Sequence, residues 1–211
     1  MDRSHSMIFN DHIGAVNRSL QAFRADIMED PLARKRLDLC VISFNHECVT
    51  ENHFCSAQNW RPPTLVPGGA TGMGQAIKVG LETLRGRLQR YRLDGVDCYR
   101  PWVMLVTDGL PTDMQPNDAR WMEVRQLIQD GEQKRRFMFF SVAVLPEAIP
   151  ALRQLGAQRP PLQVREGKIP TMFKWLSASF SSISRSQLGA PVSGITEPTA
   201  TETGWADIPS L

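Results

Sequence analysis

A chain of 211 residues, 42% of them hydrophobic, is long enough for one domain with a sizeable buried core. Lys and Arg number 24 against 22 Asp and Glu, and a formal charge of +2 argues against nucleic acid or an anionic membrane as the principal partner. No apolar run approaches the roughly 20 residues that cross a bilayer, and no basic, apolar, small-residue leader opens the chain, so a cytoplasmic protein is the simplest expectation.

Along the chain, Phe9, Ile13, Val16, Leu20, Phe23 and Ile27 alternate steps of four and three, which predicts an amphipathic helix from Phe9 to Ile27. Leu37 to Phe44 reads as a strand, with a shorter one from Cys48 to Phe54 hairpinned onto it. Four cysteines, Cys40, Cys48, Cys55 and Cys98, are too few and too irregular for a disulfide framework and are expected to be reduced. The repeated His-x-Cys of His46, Cys48, His53 and Cys55 matches no common zinc spacing and reads as strand and loop. A proline-marked loop leads to Pro67-Gly-Gly and then to a second helix, striped by Met73, Ile77, Leu81, Leu84, Leu88 and Tyr91 and closed near Gly95.

Trp102 to Thr107 is a continuous apolar run ending at Asp108-Gly109, the pattern of a strand buried on both faces. A helix over Asn117 to Gln129, a second apolar run over Phe137 to Leu145 and a helix over Ile169 to Ile183 repeat the alternation. The expected fold is α/β: a three-layer, doubly wound, mostly parallel sheet with helices on both faces, formed by residues 1–186. Residues 187–211 turn to Gly, Pro, Thr and Ser, Trp205 and Ile208 apart, and are expected to be a flexible tail.

Ligands of such sheets bind at the carboxyl ends of the strands. Three segments would put hard oxygen ligands there: Asp2-Arg3-Ser4-His5-Ser6 ahead of the first helix, Gly69-Ala70-Thr71-Gly72 entering the second, and Thr107-Asp108-Gly109 after the buried strand. Carboxylates and hydroxyls without a soft ligand suit Mg²⁺ or Mn²⁺. Taken singly, Asp2 and Thr71 would serve as helix caps and Asp108-Gly109 as a turn.

In these motifs and their order the sequence resembles the von Willebrand factor A (vWA) domains, whose adhesion-type metal site uses D-x-S-x-S, a Thr and an Asp from three loops. Val-Ile-Ser-Phe44, the Thr71 loop, Leu105-Val-Thr-Asp-Gly-Leu-Pro-Thr-Asp113 and Phe173-Lys-Trp-Leu-Ser-Ala-Ser-Phe180 resemble the bacterial tellurite-resistance TerY-like branch. The resemblance implies metal ligation by Ser4 and Ser6, by Thr71 directly or through water, and a water-orienting role for Asp2 and Asp108. It also implies a non-enzymatic module in a bacterial stress or tellurite-resistance system, whose cation binds an acidic side chain of a partner protein. A kinase or PP2C-type phosphatase is the partner suggested. Three departures stand out: Arg3 and His5 are bulkier than the residues usual there, and the central strand that runs into the first motif in the family has only Met1 to represent it. An upstream start codon, with an apolar β-rich run of about six residues encoded within about ten codons, would supply that strand.

The rival readings are a Mg-dependent phosphoryl-transfer enzyme and a nucleotide-binding module. No second acid follows Asp2 or Asp108 at D-x-D spacing, and no His, Cys or Lys is evidently paired as base or nucleophile. Gly69-Ala-Thr-Gly-Met-Gly74 lacks the G-x-G-x-x-G order and follows a proline-rich segment instead of a first strand. Asp113 is expected to cap the next helix or meet solvent.

Overall fold

The computed structural model describes residues 1–186 and 204–209. The first apolar stripe folds as a 3-10 segment, His5–Asp11, followed by α1, His12–Glu29. The helix therefore begins three residues later than the stripe alone predicts. Asn10 and Asp11 take left-handed backbone angles (φ 50° and 54°), a conformation that Asn and Asp tolerate better than most residues, and they break the stripe after Phe9. Phe9 is consequently exposed, whereas Ile13, Val16, Leu20, Phe23 and Ile27 are buried. A short helix α2, Ala33–Arg36, precedes the hairpin of β1, Asp38–Phe44, and β2, Cys48–Ser56.

The second stripe forms α3, Met73–Leu93, which leads to β3, Trp102–Thr107. Then follow α4, Ala119–Gln133, and β4, Met138–Ala143. A 3-10 turn at Pro146–Ala148 leads into α5, Ile149–Gln154, then β5, Leu162–Val164, α6, Ile169–Arg185, and β6, Ala206–Asp207. β3, β4 and β5 are parallel, and β6 adds antiparallel to β5. Most of the predicted tail lies outside the described residues, but its residues 204–209 include Trp205, fully buried against Trp175 of α6.

Met1 to Arg3 join the hairpin to the parallel strands. Asp2 forms a parallel bridge with Phe44 of β1, and its N–H donates to Val106 C=O of β3 at 2.9 Å. Phe44 N–H donates to Met1 C=O at 3.0 Å, and Arg3 N–H to Phe44 C=O at 2.8 Å. The order across the sheet is therefore β2, β1, the Met1–Arg3 stub, β3, β4, β5, β6.

A separate core covers each face. On one, α1 and α6 meet Val106, Val142 and Leu162, with Phe23 edge-on to Trp60, Phe173 and Phe180 at 5.9–6.3 Å. On the other, α3, α4 and α5 cover Phe44, Leu105 and Phe139. These apolar side chains are the main source of stability, at about 1.5–3 kcal/mol for each large one fully removed from water. The architecture is the expected three-layer α/β sheet. Among the described residues no helix is long and apolar enough to cross a membrane.

Candidate metal centre

All three oxygen-rich segments arrive at the carboxyl end of the sheet. Asp2 is placed by its ladder bonds to β1 and β3, and β3 ends directly in Asp108. The Thr71 loop is drawn in by its backbone: His5 N–H donates to Gly69 C=O at 3.0 Å and Gly72 N–H to Asn45 C=O at 2.6 Å. Thr71 N–H donates to the Thr112 hydroxyl at 3.0 Å, and Thr112 N–H returns a bond to Thr71 C=O at 2.9 Å. A Cβ at Gly72 would lie 2.7 Å from the Asn45 carbonyl oxygen, so only glycine allows this approach.

Within the cluster, Asp2 Oδ1 accepts the Ser4 N–H at 2.8 Å, closing a tight local turn, and Asp2 Oδ2 accepts the Thr107 hydroxyl at 2.5 Å. Ser4 Oγ lies 3.0 Å from Ser6 Oγ, and the Ser6 hydroxyl donates to Asp108 Oδ1 at 2.8 Å. One hydrogen-bonded run thus links Thr107, Asp2, Ser4, Ser6 and Asp108. The Thr71 side chain is buried at the same end but has no hydrogen bond to the other four among the described residues.

The electrostatics of this run are unbalanced. Asp2 and Asp108 are 1% and 2% exposed, and neither forms an ion pair among the described residues. Asp108 Oδ2 is buried without a hydrogen-bond partner. Burial raises the Asp108 carboxyl to about 6, the Ser6 hydroxyl draws it partly back, and the charge of Asp2 raises it further. Two buried carboxylates, an orphaned oxygen and aligned hydroxyls are a donor set that a hard divalent cation fits. No cluster of three His, Cys, Asp or Glu occurs among the described residues, so any such site must draw on hydroxyls.

The helix-cap alternatives do not match the geometry. α1 is preceded by Asp11 and α3 by Gly72, neither with a side-chain cap bond, and the Asp2 carboxylate is taken up by Ser4 and Thr107. Asp113 does cap a helix, but it is α3 and not the next one. Its Oδ1 accepts Gly74 N–H at 3.0 Å and its Oδ2 accepts Gln75 N–H at 2.8 Å, while Asp118 caps α4 through Trp121 N–H at 2.6 Å. The two departures from the motif turn away from the cluster. Arg3 Nε donates to Ser43 Oγ at 3.1 Å on β1, and His5 is exposed, edge-on to Phe9 at 6.5 Å.

Sequence reasoning placed Thr107 in an oxygen-rich segment without foreseeing its bond to Asp2, and it missed the roles of Thr112 and Asn45. Asn45 Nδ2 donates to Gly68 C=O at 2.7 Å and anchors the loop before Thr71. The signal available was position alone, a Thr ending a buried strand and an Asn following Phe44 at another strand end.

No family profile matches the sequence, and no curated protein matches it either. Solved structures do match by fold. A von Willebrand factor type A protein from Catenulispora acidiphila superposes with a TM-score of 0.64 at 13% identity, over 86% of this chain and 41% of that one. This chain thus spans about two-fifths of the Catenulispora protein's length. The vWF domain of the type V pili tip protein Mfa5 from Porphyromonas gingivalis gives 0.63 at 11% identity, over 90% of this chain and 95% of that one. The protein has the fold of the vWA domains.

Proposed function

We propose that Asp2, Ser4, Ser6, Thr71 and Asp108 hold a divalent cation, Mg²⁺ or Mn²⁺, and that the protein uses it to bind an acidic side chain of a partner protein. The observation that carries this reading is the buried, unpartnered Asp108 Oδ2 at the end of the hydroxyl run. A bound cation would supply a positive centre that exchanges a water for an incoming carboxylate. The chain's own residues do the rest. Thr107 fixes the Asp2 carboxylate, Asp2 fixes the Ser4 backbone, and the Ser4 and Ser6 hydroxyls are held within reach of each other.

Exposed apolar side chains on the loops of the site favour a protein partner over a free small molecule. Ile8 and Phe9 follow Ser6, Leu110 follows Asp108-Gly109, and Val66 precedes Gly68, whose N–H donates to Arg3 C=O at 2.9 Å. Exposed apolar residues on loops beside a polar centre are a common form of interaction surface. A non-enzymatic role is part of this reading and rests on the vWA resemblance. The TerY-like resemblance supports a setting in bacterial stress or tellurite resistance, with a kinase or PP2C-type phosphatase as partner.

The test is titration of chelator-stripped protein with Mg²⁺ and Mn²⁺ by calorimetry, alongside a metal-dependent pull-down from the host. The wild type is expected to bind one cation and to recover partners only with metal, and Asp108→Ala to do neither. Equal partner recovery in chelator, or by Asp108→Ala, overturns the reading.

A further inference from the structure

Helices α3 and α4 lie side by side over the sheet, and an open groove of ≈ 670 Å³ runs between them. Leu81, Leu84, Leu88, Leu127 and Phe137 give it an apolar lining. The α3 residues that reach it recur at steps of three and four, so one face of the helix supplies one whole wall. Gly131 closes the floor, because a Cβ there would lie 2.1 Å from the Phe137 ring and only glycine lets that ring press against α4. Leu81 and Leu88 are half-buried and Leu127 is 40% exposed. A single exposed leucine needs no explanation, but one that continues a half-buried apolar lining forms a patch.

The rim of the groove is charged, and its charges do not cancel. Lys78 is met by Glu123 at 2.8 Å, Arg85 lies 3.5 Å from Glu82, and Asp130 is met by Lys134 at 3.1 Å. Arg92 and Arg136 also line the groove, are exposed, and form no ion pair among the described residues. The surplus is therefore positive, and it sits at the end of the groove formed by the last turn of α3 and the residue before Phe137. An occupant that complements this surface is apolar along its length and acidic towards that end.

The walls decide the backbone form of that occupant. The backbone groups of α3 and α4 are spent within the two helices, so an extended peptide in the groove would find no ladder partners for its own N–H and C=O groups. A helix arrives with its backbone satisfied and packs its side-chain ridges into the groove. From Lys78 to Arg92 the wall rises about 21 Å at 1.5 Å per residue, or about four turns. We propose that the groove docks an amphipathic helix of about four turns from a partner protein, with its apolar stripe on Leu81, Leu84, Leu88 and Leu127 and its carboxylates at Arg92 and Arg136. The candidate metal centre lies by the first turn of α3 and these arginines by the last, so the inference stands independently of the cation reading.

The probes are two synthetic helices of about four turns, each with a leucine stripe at steps of three and four, one flanked by Glu and the other by Lys. Fluorescence anisotropy reads their binding to the full chain in chelator. The Glu-flanked helix is expected to bind about tenfold more tightly than the Lys-flanked one. The order should reverse in the Arg92→Glu, Arg136→Glu double variant, and Leu127→Asp should weaken both by about tenfold. All three positions are exposed, and binding of the Lys-flanked helix by the double variant shows at the same time that it is folded. No binding of either helix, equal binding of the two, or an order that survives the double variant overturns the proposal. So does equal binding of a Glu-flanked peptide interrupted by proline, which would assign the groove to an extended chain. Arginine-dependent binding of phosphatidylserine vesicles without binding of the Glu-flanked helix would assign it to a membrane surface instead. Binding of that helix only with Mg²⁺ would place it at the metal centre and equally overturn the proposal.

Discussion

Replacing Asp108 by Asn separates the cost of the empty carboxylate from the benefit of a cation. In metal-free protein the Asp108 carboxyl is raised from 3.8 to about 6, chiefly by burial. A shift of that size corresponds to about 3 kcal/mol, taking about 1.4 kcal/mol for each pH unit. The sign follows from proton linkage. An acid whose folded value is raised binds its proton more tightly in the native state, so stability is lost as pH rises from about 4 through about 6 and stays lower above that. The carboxamide of the Asp108→Asn variant would keep an acceptor for the Ser6 hydroxyl and carry no charge. In chelator at pH 7.5, Asp108→Asn is therefore expected to be more stable than wild type by up to about 3 kcal/mol, or roughly 6–12 °C in melting temperature for a domain of this size. At pH 4 the two should converge. With Mg²⁺ at about 100 times its dissociation constant, the wild type gains about 2.7 kcal/mol that the variant lacks, which closes the gap. Urea unfolding at both pH values, in chelator and in Mg²⁺, measures all four corners. A variant less stable than wild type in chelator at pH 7.5, or a difference that ignores both pH and metal, would refute the reasoning.

Thr107→Val keeps the shape of a fully buried side chain but removes the hydroxyl that donates to Asp2, so it should cost about 1–3 kcal/mol by denaturant unfolding and weaken Mg²⁺ in calorimetry. Asp113→Ala frees the Gly74 and Gln75 amides at the start of α3 and should cost about 1 kcal/mol, read as faster amide exchange in the first turn.

Strand ends were the most legible part of the site, because a buried parallel strand announces itself as an apolar run and must stop where its loop begins. Trp102–Thr107 was readable to the residue, and with it the position of Asp108. The first helix was less readable, since the apolar stripe extends through Phe9 while the backbone breaks at Asn10 and Asp11. Periodicity counts side chains and does not register a left-handed pair. The short elements α2, α5 and β5 left no stripe long enough to detect. The pairing of Thr107 was out of reach for another reason. Its partner Asp2 lies 105 positions away, and nothing local marks which Thr on a strand end will face which carboxylate.

Met1 to Arg3 tie the sheet to the candidate metal centre. The same three residues bridge β1 and β3 and deliver Asp2 to Thr107 and Ser4. From Ser4 the run continues through Ser6 to Asp108. The first hydroxyls of the run are therefore placed by the ladder bonds of Asp2 and Arg3, and Thr107→Val, which frees the Asp2 carboxylate without removing a proposed ligand, should weaken Mg²⁺ binding through that placement. Equal Mg²⁺ affinity in wild type and variant would show that the ladder and the site are mechanically separate.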